Sequence, residues 1–417
     1  MSFARATIAG AGLAGLSAAV ALRRAGRDVA IADAAAQAGG RCRSYHDPQI
    51  GRVIDNGNHL VLSGNRAVAR FRDAIGATTP LAGPDSADFS FCDLASGERW
   101  TVAINDGRFP SWIFRPGCRV PRSGVVDYLP IFRLLDTREA RVDQRITTIG
   151  PVWERLLEPV LLAALNTPPG EGSARLTAHV LRETMMKGGA AMRPLIAEPS
   201  LAAAFVDPAI AWLDAKGSPL VTGKRLRAIG FDGDRVASLD WGAGPEPVGL
   251  DEAVVLAVPP WVASALVPDL TAPDAFHAIV NVHFDHVPPA GAPLMLGLFG
   301  GTAEWLFAFP DRLSITISAA DRLVDTDRED LARACWADIG RALGIDAPLP
   351  RWQVVKEKRA TFAATPEQNA RRPSARTRWR NLFLAGDWTD TGLPATIEGA
   401  LRSGETAAGL ALAGALA

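Results

Sequence analysis

The chain has 417 residues, 44 lysines and arginines against 45 aspartates and glutamates, and a formal net charge of -1. That length exceeds one average domain, so two domains around a sizeable core are expected, and the near-zero charge offers no field for nucleic acid. Six histidines and four cysteines (Cys42, Cys92, Cys118 and Cys335, scattered singly) show no metal-ligand spacing; no metal site is expected, and free thiols in a reducing, cytoplasmic setting are the default.

Residues 6–9 read as a short buried strand and residues 13–24 as an apolar helix, with Gly10, Gly12 and Gly15 at the turn between them. Gly10 permits the tight turn, Gly12 lets the backbone approach a pyrophosphate, and Gly15 lets helix and strand pack closely. The helix start at Leu13 and Ala14 points N–H groups and a positive dipole end at an anion. Residues 28–33 form a second strand, and Asp33 at its end, with Ala34 beside it, can accept hydrogen bonds from a ribose. The uncharged run 6–22 after Arg5 imitates a signal peptide. Cleavage there would remove the fingerprint glycines, so export is not expected. No 18-residue stretch is purely apolar without Gly or Pro, so no spanning helix is expected.

Six residues past Asp33 comes Gly39-Gly40-Arg41, where two glycines let the loop wrap closely and Arg41 offers a forked guanidinium to a phosphate. A Pro/Gly-rich connection follows over residues 77–88. Aromatics alternate with polar residues around Trp100, Phe109, Trp112 and Phe114, which reads as strands and turns over 90–122, and residues 123–204 read as helical. Residues 220–239, punctuated by Gly223 and Asp232-Gly233-Asp234, look like a strand and a hairpin, and 253–259 a buried strand. A mixed pattern fills 262–370. A strand ending in Gly386-Asp387 and a small-residue helix over 395–412 then close the chain.

Both ends together resemble the flavin-containing amine oxidase and phytoene desaturase superfamily. The resemblance implies an α/β fold: an FAD-binding Rossmann-like domain of the glutathione-reductase type, with a discontinuous mixed α+β substrate domain. The FAD-binding domain takes segments 1–75, 205–261 and 371–417, and the substrate domain takes 76–204 (helical) and 262–370. FAD is the implied cofactor. Its implied contacts are Gly10, Gly12, Leu13, Ala14, Gly15, Asp33, Ala34, Gly39, Gly40 and Arg41 at the start, and Leu226 at the adenine through its backbone. The loop Asn56-Gly57-Asn58 runs beside the isoalloxazine, Gly386 and Asp387 meet the ribityl or pyrophosphate region, and Thr396 and Ile397 start a helix aimed at the N1/O2 edge.

Three segments are similar, more narrowly, to the squalene-associated FAD desaturase group: Asp55-Asn56-Gly57-Asn58-His59, the apolar stretch 156–169 ending in Leu165-Asn166-Thr167, and nearly all of 386–400. The activity this implies is reductive removal of the hydroxyl of hydroxysqualene to give squalene, on the branch that feeds hopanoid synthesis. Amine oxidases commonly present a Lys on a substrate-domain strand; residues 278–284 read as that strand, with Asn281 at the position. The two tyrosines, Tyr45 and Tyr128, lie far from the closing motif. Both observations favour an apolar substrate over a cationic one.

Replacing an allylic hydroxyl by hydride needs a proton for a poor leaving group and shielding of a developing cation. Asp55, His59 or Glu398 could supply the proton, and Trp388 an aromatic face. The implied partners are a long apolar isoprenoid substrate and an external reductant, NAD(P)H or a ferredoxin system, because no second glycine fingerprint occurs. The substrate would sit in an apolar tunnel, with residues 161–165, Met185, Met186, Leu195 and Trp212 as candidate lining. Transient contact with the inner-membrane surface is expected, and the run 371–380, with five arginines and Trp379, is its candidate. A polyene desaturase, a flavin amine oxidase and a non-catalytic isoprenoid carrier remain alternatives.

Overall fold

Strand Arg5–Ala9 sits inside a five-stranded parallel sheet in the computed structural model, which describes residues 3–414. The outermost positions of the first and last expected segments, 1, 2 and 415–417, lie outside the described residues. The strand order is Leu220–Val221, Asp28–Ala32, Arg5–Ala9, Glu252–Leu256, Leu382–Leu384. Ile8, Val254, Val255 and Leu382 are wholly buried, as befits strands whose two faces are both covered. Helix Leu13–Arg24 and the closing helix Ile397–Ala413 pack on each other through small residues. A Cβ at Gly404 would stand 2.2 Å from the Ala14 carbonyl oxygen, and Ser17 Oγ donates to the Leu401 carbonyl at 2.9 Å. Such close approach is possible only where side chains are nearly absent.

A second, seven-stranded sheet runs Trp352–Phe362, Phe276–Phe284, Arg312–Ile317, Trp305–Phe309, Met295–Phe299, Ala87–Asp93, Arg99–Ile104. All neighbours are antiparallel except Met295–Phe299 with Ala87–Asp93. Side chains alternate between its faces. Val280, Val282, Phe284 and Ile315 meet helix Arg328–Leu343. Asn281, His283, Ser314 and Thr316, at the intervening positions, form a polar stripe facing the other way.

Residues 123–204 are less regular than the helical pattern suggests. They hold a 3-10 helix (Val125–Leu135), a π-helical turn (Trp153–Leu157), helices Glu158–Leu165 and Ala174–Glu183, and a strand, Pro194–Ala197. That strand pairs with Leu60–Leu62 and Leu81–Ala82, a long-range pairing that overrides local propensity. Ala197, Leu201 and Phe205 already pack into the core of the nucleotide-binding domain, so that core begins before residue 205. Leu195 and Trp212 pack on the same core, away from the tunnel expected of them, while Leu161 and Leu165 are buried among the aromatics of the other domain and Met186 is exposed. No helix among the described residues is long and apolar enough to cross a membrane.

Glu304, just before strand Trp305–Phe309, is pushed up to about 7 by burial, against the opposing effect of the Ser318 N–H that its carboxylate accepts at 2.8 Å. The folded protein therefore binds this proton more tightly than the unfolded chain, and stability falls as pH rises from the ordinary glutamate range through about 7. Glu304→Gln keeps the acceptor and removes the ionisation. It is expected to leave the melting temperature unchanged near about pH 4 and to stabilise by roughly 1–3 kcal/mol near about pH 8, as thermal denaturation across pH would report.

Candidate active site

The turn after strand Arg5–Ala9 separates two uses of glycine. Gly10 (φ 107°) lies so close to the neighbouring strand that a Cβ would stand 2.3 Å from the Ala257 carbonyl oxygen, and Gly15 serves the same packing. Gly12 is different: its φ of -72° suits any residue, and a Cβ there would meet nothing within 4 Å. The N–H groups of Ala14 and Gly15, behind Leu13 in the first turn, find no acceptor among the described residues. Open space before an uncapped helix N-terminus matches a pyrophosphate in shape and sign, so these residues fit a dinucleotide.

Asp33 stands at the edge of that space. Its Oδ2 accepts the Ala11 N–H at 2.6 Å and its Oδ1 the Ala35 N–H at 2.7 Å, which fixes the carboxylate while leaving lone pairs for a ribose. Ala34 is exposed next to it. Gly223 N–H donates to the Ala35 carbonyl and Lys224 N–H to the Asp33 carbonyl, both at 2.9 Å, so buried Leu226 follows in a loop tied to the same strand end. Gly39 N–H donates to the Ala11 carbonyl at 2.9 Å, and a Cβ at Gly40 would lie 3.5 Å from Gly12 Cα, so this loop closes over the fingerprint turn.

Arg41, expected at a phosphate, is held by protein groups and stays part-exposed. Its Nη2 donates to both oxygens of Asp387, at 2.7 and 2.8 Å, and its Nη1 to the Ala360 carbonyl. Burial opposes the guanidinium charge, but Asp387 outweighs it and holds Arg41 above its usual value. Both carboxylate bonds leave one nitrogen, so Asp387 orients the guanidinium without occupying its whole fork.

Arg372 holds the same segment from the other side. Its Nη2 donates to the carbonyls of Asp387 and Thr389 and to Thr391 Oγ1. Burial pushes it down to about 10, so it stays charged at neutral pH. In the run 371–380, expected to meet a membrane, Arg376, Arg378 and Arg380 are exposed but several groups are engaged within the protein. Arg371 pairs with Asp274, Arg378 with Asp269 and Arg380 with Asp234, while Trp379 is buried with its ring 4.4 Å from that of Phe231. Gly386 N–H donates to Ser403 Oγ, and Trp388 folds back over Gly386 with its Nε1 donating to the Val258 carbonyl at 3.0 Å. Its indole is thus part of the packing rather than a free aromatic face. Thr396 Oγ1 accepts the Gly399 N–H at 3.0 Å and caps the closing helix at Ile397.

Two of the three candidate acids converge. Asp55 and His59 lie around one narrow gap, too tight to hold a water molecule, together with Asn58, Ile196, Ala197, Leu201 and Phe309. Asp55 is 2% exposed. Its Oδ1 accepts from Ser44 Oγ at 2.5 Å and from the Leu201 N–H at 2.9 Å, and no donor among the described residues meets Oδ2. Burial raises its proton affinity, more than those bonds and Arg312 lower it. His59 is pushed down to about 4 by burial and by Arg41, so at neutral pH its imidazole carries no charge to donate as an imidazolium. Glu398 lies elsewhere. It accepts the N–H groups of Ala67 and Val68 at the start of helix Arg66–Ala74, and Arg402 Nε at 2.9 Å. A carboxylate so engaged is a helix cap in an ion pair, not a proton donor.

The loop between Asp55 and His59 faces the polar stripe of the second sheet. Asn56 Nδ2 donates to Glu357 at 3.2 Å, and Asn58 Nδ2 to Ser314 Oγ and Thr316 Oγ1 at 2.8 and 3.0 Å. The Asn58 N–H reaches Asn281 Oδ1 at 3.3 Å, and a Cβ at Gly57 would come within 3.0 Å of Asn281 Nδ2. The amides of Asn56 and Asn58 thus anchor the loop to the substrate domain instead of presenting themselves to a cofactor, leaving its backbone for that task. Asn281 is itself held by Thr316 Oγ1 at 2.8 Å, in register opposite Thr316. Ile196, Ala197, Leu201 and Phe309 carried no sequence signal, since each reads as ordinary core.

Residues 13–288 and 300–412 match the flavin containing amine oxidoreductase family. The chain is 53% identical to the hydroxysqualene dehydroxylase of Rhodopseudomonas palustris, covering 97% of this chain and 98% of that one. It is 50% and 48% identical to the hydroxysqualene dehydroxylases of Sinorhizobium fredii and Zymomonas mobilis, covering 97% of this chain in both and 97% and 98% of theirs. Among solved structures, an oxidoreductase from Methanosarcina mazei shares the fold with a TM-score of 0.73 at 15% identity, over 96% of this chain and 98% of that one. Cyclohexylamine oxidase from Brevibacterium oxydans does so with a TM-score of 0.68 at 16% identity, over 98% and 99%. The chain belongs to the flavin-containing amine oxidoreductase family, and it is an FAD-dependent oxidoreductase.

Gly12→Ala is expected to fold with an unchanged apoprotein melting temperature and to bind flavin at least about tenfold more weakly, because the methyl group enters only the cofactor's space. Gly10→Ala should instead lower the melting temperature of the apoprotein itself. Flavin absorbance per protein, measured with and without added FAD, separates the two, and full flavin retention in Gly12→Ala would place the pyrophosphate elsewhere.

Proposed function

We propose that this member of the flavin-containing amine oxidoreductase family reductively dehydroxylates hydroxysqualene to squalene, a step of isoprenoid lipid synthesis that feeds hopanoids. Relatives that match it nearly end to end carry that activity by name. Within the site, the observation that carries the reading is Asp55, a buried carboxyl whose raised proton affinity and unmet Oδ2 equip it to give up a proton.

In the reaction the C–O bond breaks, the hydroxyl leaves as water after taking one proton, and the carbon receives two electrons and a hydrogen. FAD, when bound in reduced form, supplies that hydride. The protein's own residues supply the rest. Asp55 holds the proton at Oδ2 beside Ile196, Ala197, Leu201 and Phe309, where little water competes for it. The neutral imidazole of His59 adds no positive charge beside a developing allylic cation. Arg41 is compensated by Asp387, and Asn281 stands where amine oxidases commonly present a lysine. Phe309 also belongs to an apolar cluster with Trp305, Phe307, Leu161 and Leu165. The electrons enter from an external NAD(P)H or ferredoxin system.

Anaerobic mixing of the reduced holoenzyme with hydroxysqualene tests the proposal: squalene should form in step with flavin oxidation. Conversion of phytoene by the oxidised enzyme, with hydroxysqualene untouched, would make it a polyene desaturase instead. Asp55→Asn is expected to keep its flavin and to slow single-turnover squalene formation by about a hundredfold or more. The wild-type rate should fall as pH rises through the elevated Asp55 ionisation, because the donor is then deprotonated, while the variant's residual rate stays flat. A variant as fast as the wild type removes Asp55 from the chemistry.

A further inference from the structure

Two segments of the substrate domain turn large apolar side chains into solvent. Phe109 and Phe114, 69% and 55% exposed, stack on each other with ring centroids 6.0 Å apart. The second segment is the 3-10 helix Val125–Leu135, in which every third side chain falls on one line. Tyr128, Ile131 and Leu134 form its buried line. Val126, Leu129 and Phe132 form the next, and are 69%, 56% and 52% exposed. A helix that is apolar on two of its three lines has one more than the core can cover. Trp112, buried beneath the first segment, meets Tyr128 edge-on at 5.1 Å and joins the two segments into one ridge.

The unpaired charges around this ridge are mostly basic, with Asp127 the exception. Arg108, Arg115 and Arg133 are exposed, and none of them meets an acidic partner among the described residues. The nearby acids are engaged: Asp106 pairs with Arg193, and Asp127 accepts the Gly124 N–H at the start of its own helix. This is the reverse of the run 371–380, where three arginines are ion-paired and the tryptophan is buried. Exposed aliphatic and aromatic side chains among uncompensated arginines match the boundary between acyl chains and anionic headgroups.

We propose that residues 108–133 dock the protein in the plane of an anionic lipid bilayer. The contact is monotopic, since no described helix can span. Its purpose rests on the hydrocarbon substrate proposed above, which partitions into the same bilayer. A second copy is the poorer occupant, because a two-fold contact through this ridge would set the same arginines against each other. The ridge is also tied to the closing helix. The Leu135 carbonyl accepts Arg182 Nη2 of helix Ala174–Glu183 at 2.7 Å, and Glu183 at that helix's end pairs with Arg402 of the closing helix.

Flotation of the holoenzyme with phosphatidylcholine vesicles, with and without phosphatidylglycerol, tests the docking. The wild type should float with the anionic vesicles, less so at high salt. Val126→Ser/Leu129→Ser/Phe132→Ser should lose at least about tenfold in vesicle affinity, and Arg108→Ser/Arg115→Ser/Arg133→Ser should lose the preference for phosphatidylglycerol. Arg376→Ser/Arg378→Ser should float like the wild type. All variants should retain flavin, since the altered side chains are exposed, and should turn over detergent-dispersed hydroxysqualene within about twofold of wild type. A wild type that stays with the dense fraction overturns the docking, as does an apolar variant that floats undiminished. So does a lipid-free dimer that the apolar substitutions split, because the ridge would then belong to a second copy. A protein that floats as described yet makes no squalene from either supply overturns the dehydroxylation and leaves the docking standing.

Discussion

The guanidinium of Arg41 and the carboxylate of Asp387, 346 residues apart in sequence, share two hydrogen bonds where Asp387 is almost wholly out of water. A pair of this kind is worth most through what its loss would leave behind: a buried charge with no partner. It closes the fold at the one place where the two ends of the chain must agree. On one side lies the fingerprint turn with its free helix N-terminus; on the other, the loop that leads into the closing helix. Arg372 grips three acceptors of that loop, and the Ser17–Leu401 hydrogen bond with the near contact at Gly404 sets the two helices against each other. The phosphate cradle and the end of the closing helix are positioned by these contacts together.

The second constraint is strand alternation. A sheet that buries Val280, Val282 and Phe284 on one face must present Asn281 and His283 on the other. That second face is where the loop from Asn56 to Asn58 docks, so the spacing between the two domains is set by side-chain amides and hydroxyls rather than by apolar packing alone. His283, pushed down to about 3 chiefly by burial, and His59, at about 4, are both neutral there. The region therefore holds little uncompensated charge. That suits chemistry in which a cation develops on a hydrocarbon and the protonated group is a carboxyl, and it differs from a site organised around a cationic amine.

Local patterns along the chain were readable. The strand, helix and second strand at the start lie within about thirty residues, each specified by its own apolar run and by glycines whose positions the backbone requires. The hairpin around Gly233 and the closing strand and helix were legible for the same reason. Segment 123–204 was not, because its apolar residues serve both helical pieces and a strand that exists only by pairing with residues 60–62 and 81–82. The run 371–380 was legible only in part: its arginines are mostly at the surface, but only the fold brings Asp234, Asp269 and Asp274 to three of them and buries Arg372 and Trp379.

The sequence by itself determined the class of cofactor site and the family, because a dinucleotide cradle is a short-range object built from consecutive residues. Which acid keeps an oxygen free in dry surroundings was decided only by the tertiary structure. Asp55, His59 and Glu398 were equivalent as letters in a chain. Leu201 and Phe309 made a dry wall for the first, burial with Arg41 nearby stripped the second of its proton, and the helix start at Ala67 claimed the third. A side chain's proton affinity and hydrogen bonds are properties of its neighbours, and the neighbours that separate Asp55 from Glu398, such as Leu201 and Ala67, are brought in from 146 and 331 residues away.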